Sequence, residues 1–348
     1  MPWLLRVILS FFLMQGALET VPAAGKEATK CVVPSGMATE RPDPEGIPTK
    51  VQIGTYVIKI FGINDINQNF KADIFLRMQW KDPRLVDQSL GGSLAGCKVP
   101  LDAVWHPRVL LLNGENFSKH LEESVSINSE GRVRYVQRFA GDFSIPFHLS
   151  EFPFDQHTLA ISVVSGGYDT GQVQFIIDEK VIGQMEDLSL ADWSIEPGKG
   201  KVTSIYFAPQ DRSFPLFNYE LSVQRYQGFY LSKVIIPLTM IIFMSWTVFW
   251  LDPRHLATQV GLSASVIVIL TIFQLNVGNF LPKISYLTRM DRFVLGALVL
   301  VFLALVETVT GGALAGSGNP GLAKNIDRWA RVVFPIAFLF VLAFAFWI

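Results

Sequence analysis

Residues 258–280 read TQVGLSASVIVILTIFQLNVGNF. At about 1.5 Å of rise per residue, this 23-residue run makes a helix long enough to cross a hydrocarbon core of roughly 30 Å. It is not uniformly apolar. Gly261, Ser265, Val268, Ile272, Leu275 and Asn279 recur at spacings of four and three, which puts them on one helical face. That face is small or polar at its ends and apolar at its waist. Leu262, Val266, Ile267, Ile269, Leu270 and Phe273 fill the other faces and suit lipid or protein neighbours. Two readings are open from the stretch alone. One is a pore-lining helix with a hydrophobic gate at Val268, Ile272 and Leu275. The other is a packed helix whose small residues let neighbours approach.

The surrounding chain has 348 residues, 50 % hydrophobic, with mean hydropathy +0.34 and a formal charge of -1. That length allows about two domains, and nothing in the charge points to nucleic acid. Residues 1–24 read as a secretory signal, with Arg6, an apolar run over 7–18 and small residues Ala23 and Ala24; a fifth membrane helix is the alternative. Residues 25–48 read as a flexible leader, rich in Pro, Gly and charge. Residues 49–229 show short β-branched and aromatic runs between turn residues, such as TYVIKIFGI, ADIFLRMQW and HTLAISVV, the signature of an all-β sandwich. From 230 to 348 the composition switches to four apolar spans, at about 233–251, 258–280, 293–315 and 329–348. An exported sandwich followed by four spans predicts a multi-pass membrane protein with its N-terminal domain on the extracytoplasmic side. Cys31 and Cys97, the two cysteines, allow either one disulfide or two free thiols.

Specific motifs follow. Trp80-Lys81-Asp82-Pro83-Arg84-Leu85 precedes Trp105-His106-Pro107, with Asn113 six residues past the proline, and then Phe152-Pro153-Phe154-Asp155. Arg225 stands before the first span, Pro237 within it, Leu281-Pro282 after the second, and IDRWARVVFP opens the fourth. In this order the motifs resemble the pentameric ligand-gated ion channels of the Cys-loop receptor superfamily, over roughly residue 54 to the last residue given. Ile145 and Leu159 stand where animal receptors place the bracketing cysteines, and the link between the third and fourth spans is short. Both features resemble the prokaryotic branch. His157 occupies a position where the family usually has Gln.

The resemblance implies a multidomain fold: an immunoglobulin-like sandwich of about ten strands above a four-helix transmembrane bundle, assembled as a homopentamer in membrane lipid. It implies that the second helix lines the pore with Ala257, Gly261, Ser265, Val268, Ile272, Leu275 and Asn279. It implies agonist contacts on a principal face at Leu112, Tyr168, Phe207, Phe214 and Phe217, and on an opposing face at Phe75, Arg77 and Tyr135. Aromatic rings there suit an amine, and Arg77 suits a carboxylate or zwitterion. Coupling to the pore would run through Asp65, Phe152, Pro153, Phe154, Asp155, Arg225 and Pro282. Protons are the rival agonist, with His148 and His157 as candidate sensors beside Glu151 and Asp155.

Charge selectivity is weakly marked. The mouth before the pore helix carries Ala257-Thr258-Gln259, with neither a glutamate ring nor a proline-alanine pair. Residues 25–230 hold 25 Asp and Glu against 20 Lys and Arg, and a negative vestibule concentrates cations. A cation channel is therefore expected, with an anion channel of the same fold or a non-conducting membrane-anchored receptor as alternatives. No nucleophile elbow, HExxH, P-loop or dinucleotide fingerprint appears, so neither an enzyme nor a cofactor is expected.

Overall fold

A computed structural model describes residues 31, 33, 36–86, 94–252, 255–278 and 284–347. The signal segment, Asn279 and Pro282 lie outside the described residues. The chain divides into Met1–Val32 and Val33–Ile348, and all elements described below belong to the second unit. Neither cysteine is a free thiol, since Cys31 and Cys97 are both disulfide-bonded.

Two sheets face each other. The first has the order β10 (Gly183–Gln184), β1 (Thr49–Asn64), β2 (Asn69–Lys81), β7 (Arg132–Ser144), β6 (Ser124–Ile127), β3 (Lys98–Pro100), with β5 (Gly114–Lys119) on β7 and β9 (Val173–Ile177) on β1. The second has the order β11 (Trp193–Ile195), β13 (Arg212–Arg225), β8 (Gln156–Ser165), β4 (Val109–Leu111), with β12 (Lys199–Phe207) on β13. The period-two pattern of each strand decides what is buried. On β2, Phe70, Ala72, Ile74, Leu76, Met78 and Trp80 point inward; on β8 and β13, Leu159, Ile161, Val163, Phe217, Tyr219, Leu221 and Val223 meet them. The same parity carries His157 and Arg225 inward at the lower ends of β8 and β13.

The sequence motifs staple this sandwich. Trp80 and Trp105 meet edge to face at 6.0 Å. Asp82 is fully buried and accepts both Nε (2.9 Å) and Nη2 (2.8 Å) of Arg84. Gly131, at φ +73°, lies so close to the Asp82 carbonyl that a Cβ would meet it at 2.6 Å, so only glycine fits the turn. Asn113 donates to the carbonyls of Ser144 and Ala160 and accepts from the Ser162 amide, tying β7 to β8 across the core.

Part of the expected flexible leader is instead packed. Met37 is buried, its carbonyl accepts the Trp105 amide at 2.7 Å, and Arg41 donates to the Gln172 carbonyl at 2.8 Å. Composition alone hid these contacts, because they reach partners 68 and 131 residues away.

Among the described residues, four helices are long and apolar enough to span a membrane: α1 (Gly228–Trp250), α2 (Leu256–Val277), α3 (Arg289–Gly316) and α4 (Pro320–Phe346). The α1 path includes a π turn over Leu231–Ile235. Thr288 and Asp291 form a capping box that starts α3. The α4 helix begins at Pro320, nine residues before the sequence expectation, because Lys324, Asp327 and Arg328 interrupt the apolar run but not the helix. Pro320 at the helix start is favourable there, having no amide to satisfy.

Truncating Trp105 to alanine removes a fully buried ring that contacts both Trp80 and Tyr168. The expected cost is about 3–5 kcal/mol, read as a lower thermal midpoint of the purified protein.

Candidate functional site

Strand β13 ends at Arg225, three residues before α1 begins. The Arg225 side chain is 5 % exposed. Its Nε and Nη2 donate to Oδ1 and Oδ2 of Asp155 at 2.8 and 2.9 Å, and Nη2 also reaches Oδ2 of Asp65 at 2.8 Å. The guanidinium lies 4.1 Å from the Trp193 ring centroid and 4.9 Å from that of Phe152, so cation–π attraction adds to the ion pairs. His157 completes the cluster. Its Nε2 is 2.6 Å from Oδ2 of Asp155, and its ring meets the edges of Phe147 at 4.7 Å and Trp193 at 5.8 Å. A carboxylate only accepts, so His157 donates from Nε2.

The two carboxylates of this cluster shift in opposite directions. Burial pushes Asp155 upward, but hydrogen bonds from His157 and Arg225, with the Arg225 charge, hold it down at about 2. Burial also pushes Asp65 upward, and there it wins over the single Arg225 contact; Oδ1 of Asp65 has no hydrogen-bond partner. Burial opposes the Arg225 charge, yet Asp155 and Asp65 together keep its proton bound more tightly than usual.

The Phe152–Asp155 turn reaches the helices. Phe152 is fully buried and meets Tyr230 of α1 at 4.8 Å; Phe154 meets Phe346 of α4 at 5.6 Å. The carbonyls of Ser150 and Phe152 accept the amides of Arg289 and Met290, which would otherwise be orphaned at the start of α3. Tyr286 accepts the Leu149 amide at 2.9 Å, and Arg289 pairs with Glu151 at 2.8 Å. The structure thus brings Asp65, Phe152, Asp155, His157 and Arg225 together. His148 is exposed. Phe147 and Trp193 were not singled out from the sequence. Trp193 becomes visible only once β11 is paired with β13, where it sits opposite Arg225.

On α2, Ala257, Gly261, Ser265, Val268, Ile272 and Leu275 are all exposed, with Val268 at 57 %, Ile272 at 55 % and Leu275 at 72 %. Gln259, Ser263, Val266, Leu270 and Val277 form the opposite, buried stripe at the same four–three rhythm. Ser265 donates to the Gly261 carbonyl at 2.8 Å, so its oxygen lone pairs stay open to the exposed face. Ser263 meets Thr308 of α3 at 3.4 Å.

The expected agonist residues do not all converge. Leu112, Phe207 and Phe214 line one cavity of about 280 Å³, with Gln210 and Ser165, and Phe207 meets Phe214 edge to face at 5.6 Å. Phe217 is fully buried in the core, and Tyr168 packs on Trp105 at 5.4 Å. On the opposing sheet, Arg77 lies across from Val136, so Tyr135 points to the other face, into the core, where it is 3 % exposed. Arg77 is paired with Asp178 of its own subunit through Nε at 3.1 Å and through Nη2. Phe75 shares the Arg77 face, as β2 alternation requires.

The fold and this junction define a channel subunit, and comparison with known proteins agrees. Residues 37–208 match the neurotransmitter-gated ion-channel ligand binding domain, and residues 234–311 match the neurotransmitter-gated ion-channel transmembrane region. The chain is 29 % identical over 302 residues to a proton-gated ion channel of Gloeobacter violaceus, covering 86 % of this chain and 84 % of the relative. The chain therefore belongs to the neurotransmitter-gated ion channels, as a pentameric ligand-gated channel that is multi-pass in the membrane with its N-terminal domain outside.

Removing Arg225 takes the cation from buried Asp155 and half-buried Asp65, so Arg225→Ala is expected to cost about 3–5 kcal/mol, measurable as a fall in thermal midpoint. The folded Asp155 carboxyl titrates at about 2, below its ordinary 3.8. Its contribution to stability is therefore complete above that ordinary value and fades as pH falls toward 2. The difference in thermal midpoint between the wild type and Asp155→Asn should shrink over that interval.

Proposed function

We propose that the protein is a cation-conducting channel whose pore is lined by Ala257, Gly261, Ser265, Val268, Ile272, Leu275 and Asn279. Five copies of Ser265 hydrate the passing ion, and rings of Val268, Ile272 and Leu275 dewet to shut it. The observation that carries this reading is the pair of opposed stripes on α2, one buried in the bundle and one left exposed at the same rhythm. Gating passes through Asp65, Phe152, Pro153, Phe154, Asp155, Arg225 and Pro282, as movement of the sandwich pulls on the starts of α1 and α3. An ion-pair cluster at the end of the strand that leads into α1 supports this, since ion pairs of this kind can be made or broken as discrete steps.

The agonist face uses Leu112, Phe207 and Phe214 on one subunit and Phe75 on the next. The cavity has aromatic walls and, among the described residues, no charged side chain, which favours an amine held by cation–π attraction over a carboxylate. Arg77 is engaged by Asp178 and is not free to hold a carboxylate. Protons are a second stimulus. The proton-gated relative favours them, and so does a histidine inside the ion-pair cluster.

Cysteines placed singly at 261, 265, 268, 272 and 275 should react with aqueous thiol reagents and change the current, while those at 259, 263, 266 and 270 should not. Equal labelling of both sets would refute the pore assignment. In a sodium chloride gradient the reversal potential should move toward the sodium equilibrium value; movement toward chloride would reverse the selectivity. Phe214→Ala should weaken an activating amine by roughly 3–30-fold.

A further inference from the structure

We propose that His157 is the residue through which protons act on the coupling cluster, by placing a second buried cation on Asp155 in competition with Arg225. This rests on the reading of the chain as a proton-responsive channel.

Four side chains decide the charge. Asp65 and Asp155 are negative, Arg225 is positive, and His157 is neutral or positive. With Asp65 ionised and His157 neutral, the cluster holds one excess negative charge in a setting where Asp155, His157 and Arg225 are all buried. A proton on His157 cancels it. The contact is direct, because Oδ2 of Asp155 accepts from His157 Nε2 at 2.6 Å and from Arg225 Nη2 at 2.9 Å. One carboxylate oxygen is thus shared between a titratable donor and a permanent one. Strengthening the first donor frees the second to lean on Asp65, whose Oδ1 is unsatisfied.

The neighbours of His157 leave few other titratable groups to carry the signal. Phe147 and Trp193 close its ring on two sides, and Val223 lies opposite on β13. The titratable and charged groups facing the cluster are Asp65 from the β1–β2 turn, Asp155, Arg225 from β13 and Tyr230 from α1. Asp155 is held at about 2 and Arg225 is always charged, so neither changes state between pH 5 and 8. Ordinary imidazole does change there. Because Arg225 is the last residue of β13, a shift of its guanidinium from Asp155 toward Asp65 acts on the strand that leads into α1.

His157→Gln tests this. Glutamine keeps an N–H donor for Asp155 and cannot take up a proton. Two measurements run side by side: current in planar bilayers as pH steps between 8 and 5, and tryptophan emission of the detergent-purified protein over the same range. Imidazolium quenches a neighbouring indole, and Trp193 is in contact with the ring. The wild type should show a current ratio between the two pH values of about fivefold or more. It should also show an emission step between them, and both should vanish in His157→Gln. A current ratio that survives in the variant with the same midpoint overturns the proposal, as does a wild type with no emission step. If the wild type carries no current under any condition, yet its emission step is lost in His157→Gln, protonation of His157 stands and the channel reading falls.

Discussion

A guanidinium cannot be taken out of water cheaply, and the desolvation cost of Arg225 governs the architecture around it. The residue is placed inside because β13 alternates from Pro215 onward and its parity brings position 225 to the buried side. Once there, it needs carboxylates and ring faces, and these come from three separate segments: Asp65 after β1, Phe152 and Asp155 before β8, and Trp193 on β11. Breaking one partner leaves the others as buried charges, so the segments are bound together more tightly than any one contact implies. The turn that supplies Asp155 also feeds its carbonyls to the first amides of α3. Sandwich and bundle are therefore joined by groups that each satisfy a requirement of their own element.

The second helix obeys a complementary constraint. Its buried stripe is mixed in polarity, and the polar members find partners: Gln259 donates to the Leu251 carbonyl and Ser263 meets Thr308. Its exposed stripe has no such closure within one subunit. Apolar side chains as large as Val268, Ile272 and Leu275 are left more than half exposed. The Ser265 hydroxyl on the same face is bonded to its own backbone.

Much of this was legible in the sequence. The tryptophan, proline and aspartate motifs mark the turns that staple the sheets, and the four–three spacing of α2 separates its faces before any neighbour is known. Other features depended on pairings between distant residues. Tyr135 could be grouped with Phe75 and Arg77 by resemblance, but the register across β2 and β7 sets Tyr135 on the opposite side. Arg77 looked free because its partner Asp178 is 101 residues away. The leader looked flexible by composition, although Met37 and Arg41 are held by residues far along the chain. The two histidines of the junction looked equivalent, yet Phe147 and Trp193 enclose only His157. In each case local chemistry was readable, and long-range register was not.

The contact of Phe154 with Phe346 joins a loop of the sandwich to the last turn of α4, and Phe293 of α3 meets the same ring at 5.5 Å. A ribosome delivers Phe154 long before Phe346. The sandwich can collapse during synthesis from residues already made, but the brace beneath its lower loop must wait for the final helix to enter the bilayer. The brace therefore couples the lower loop of the sandwich to the docking of α4, because Phe154 and Phe293 both need the Phe346 ring as a partner.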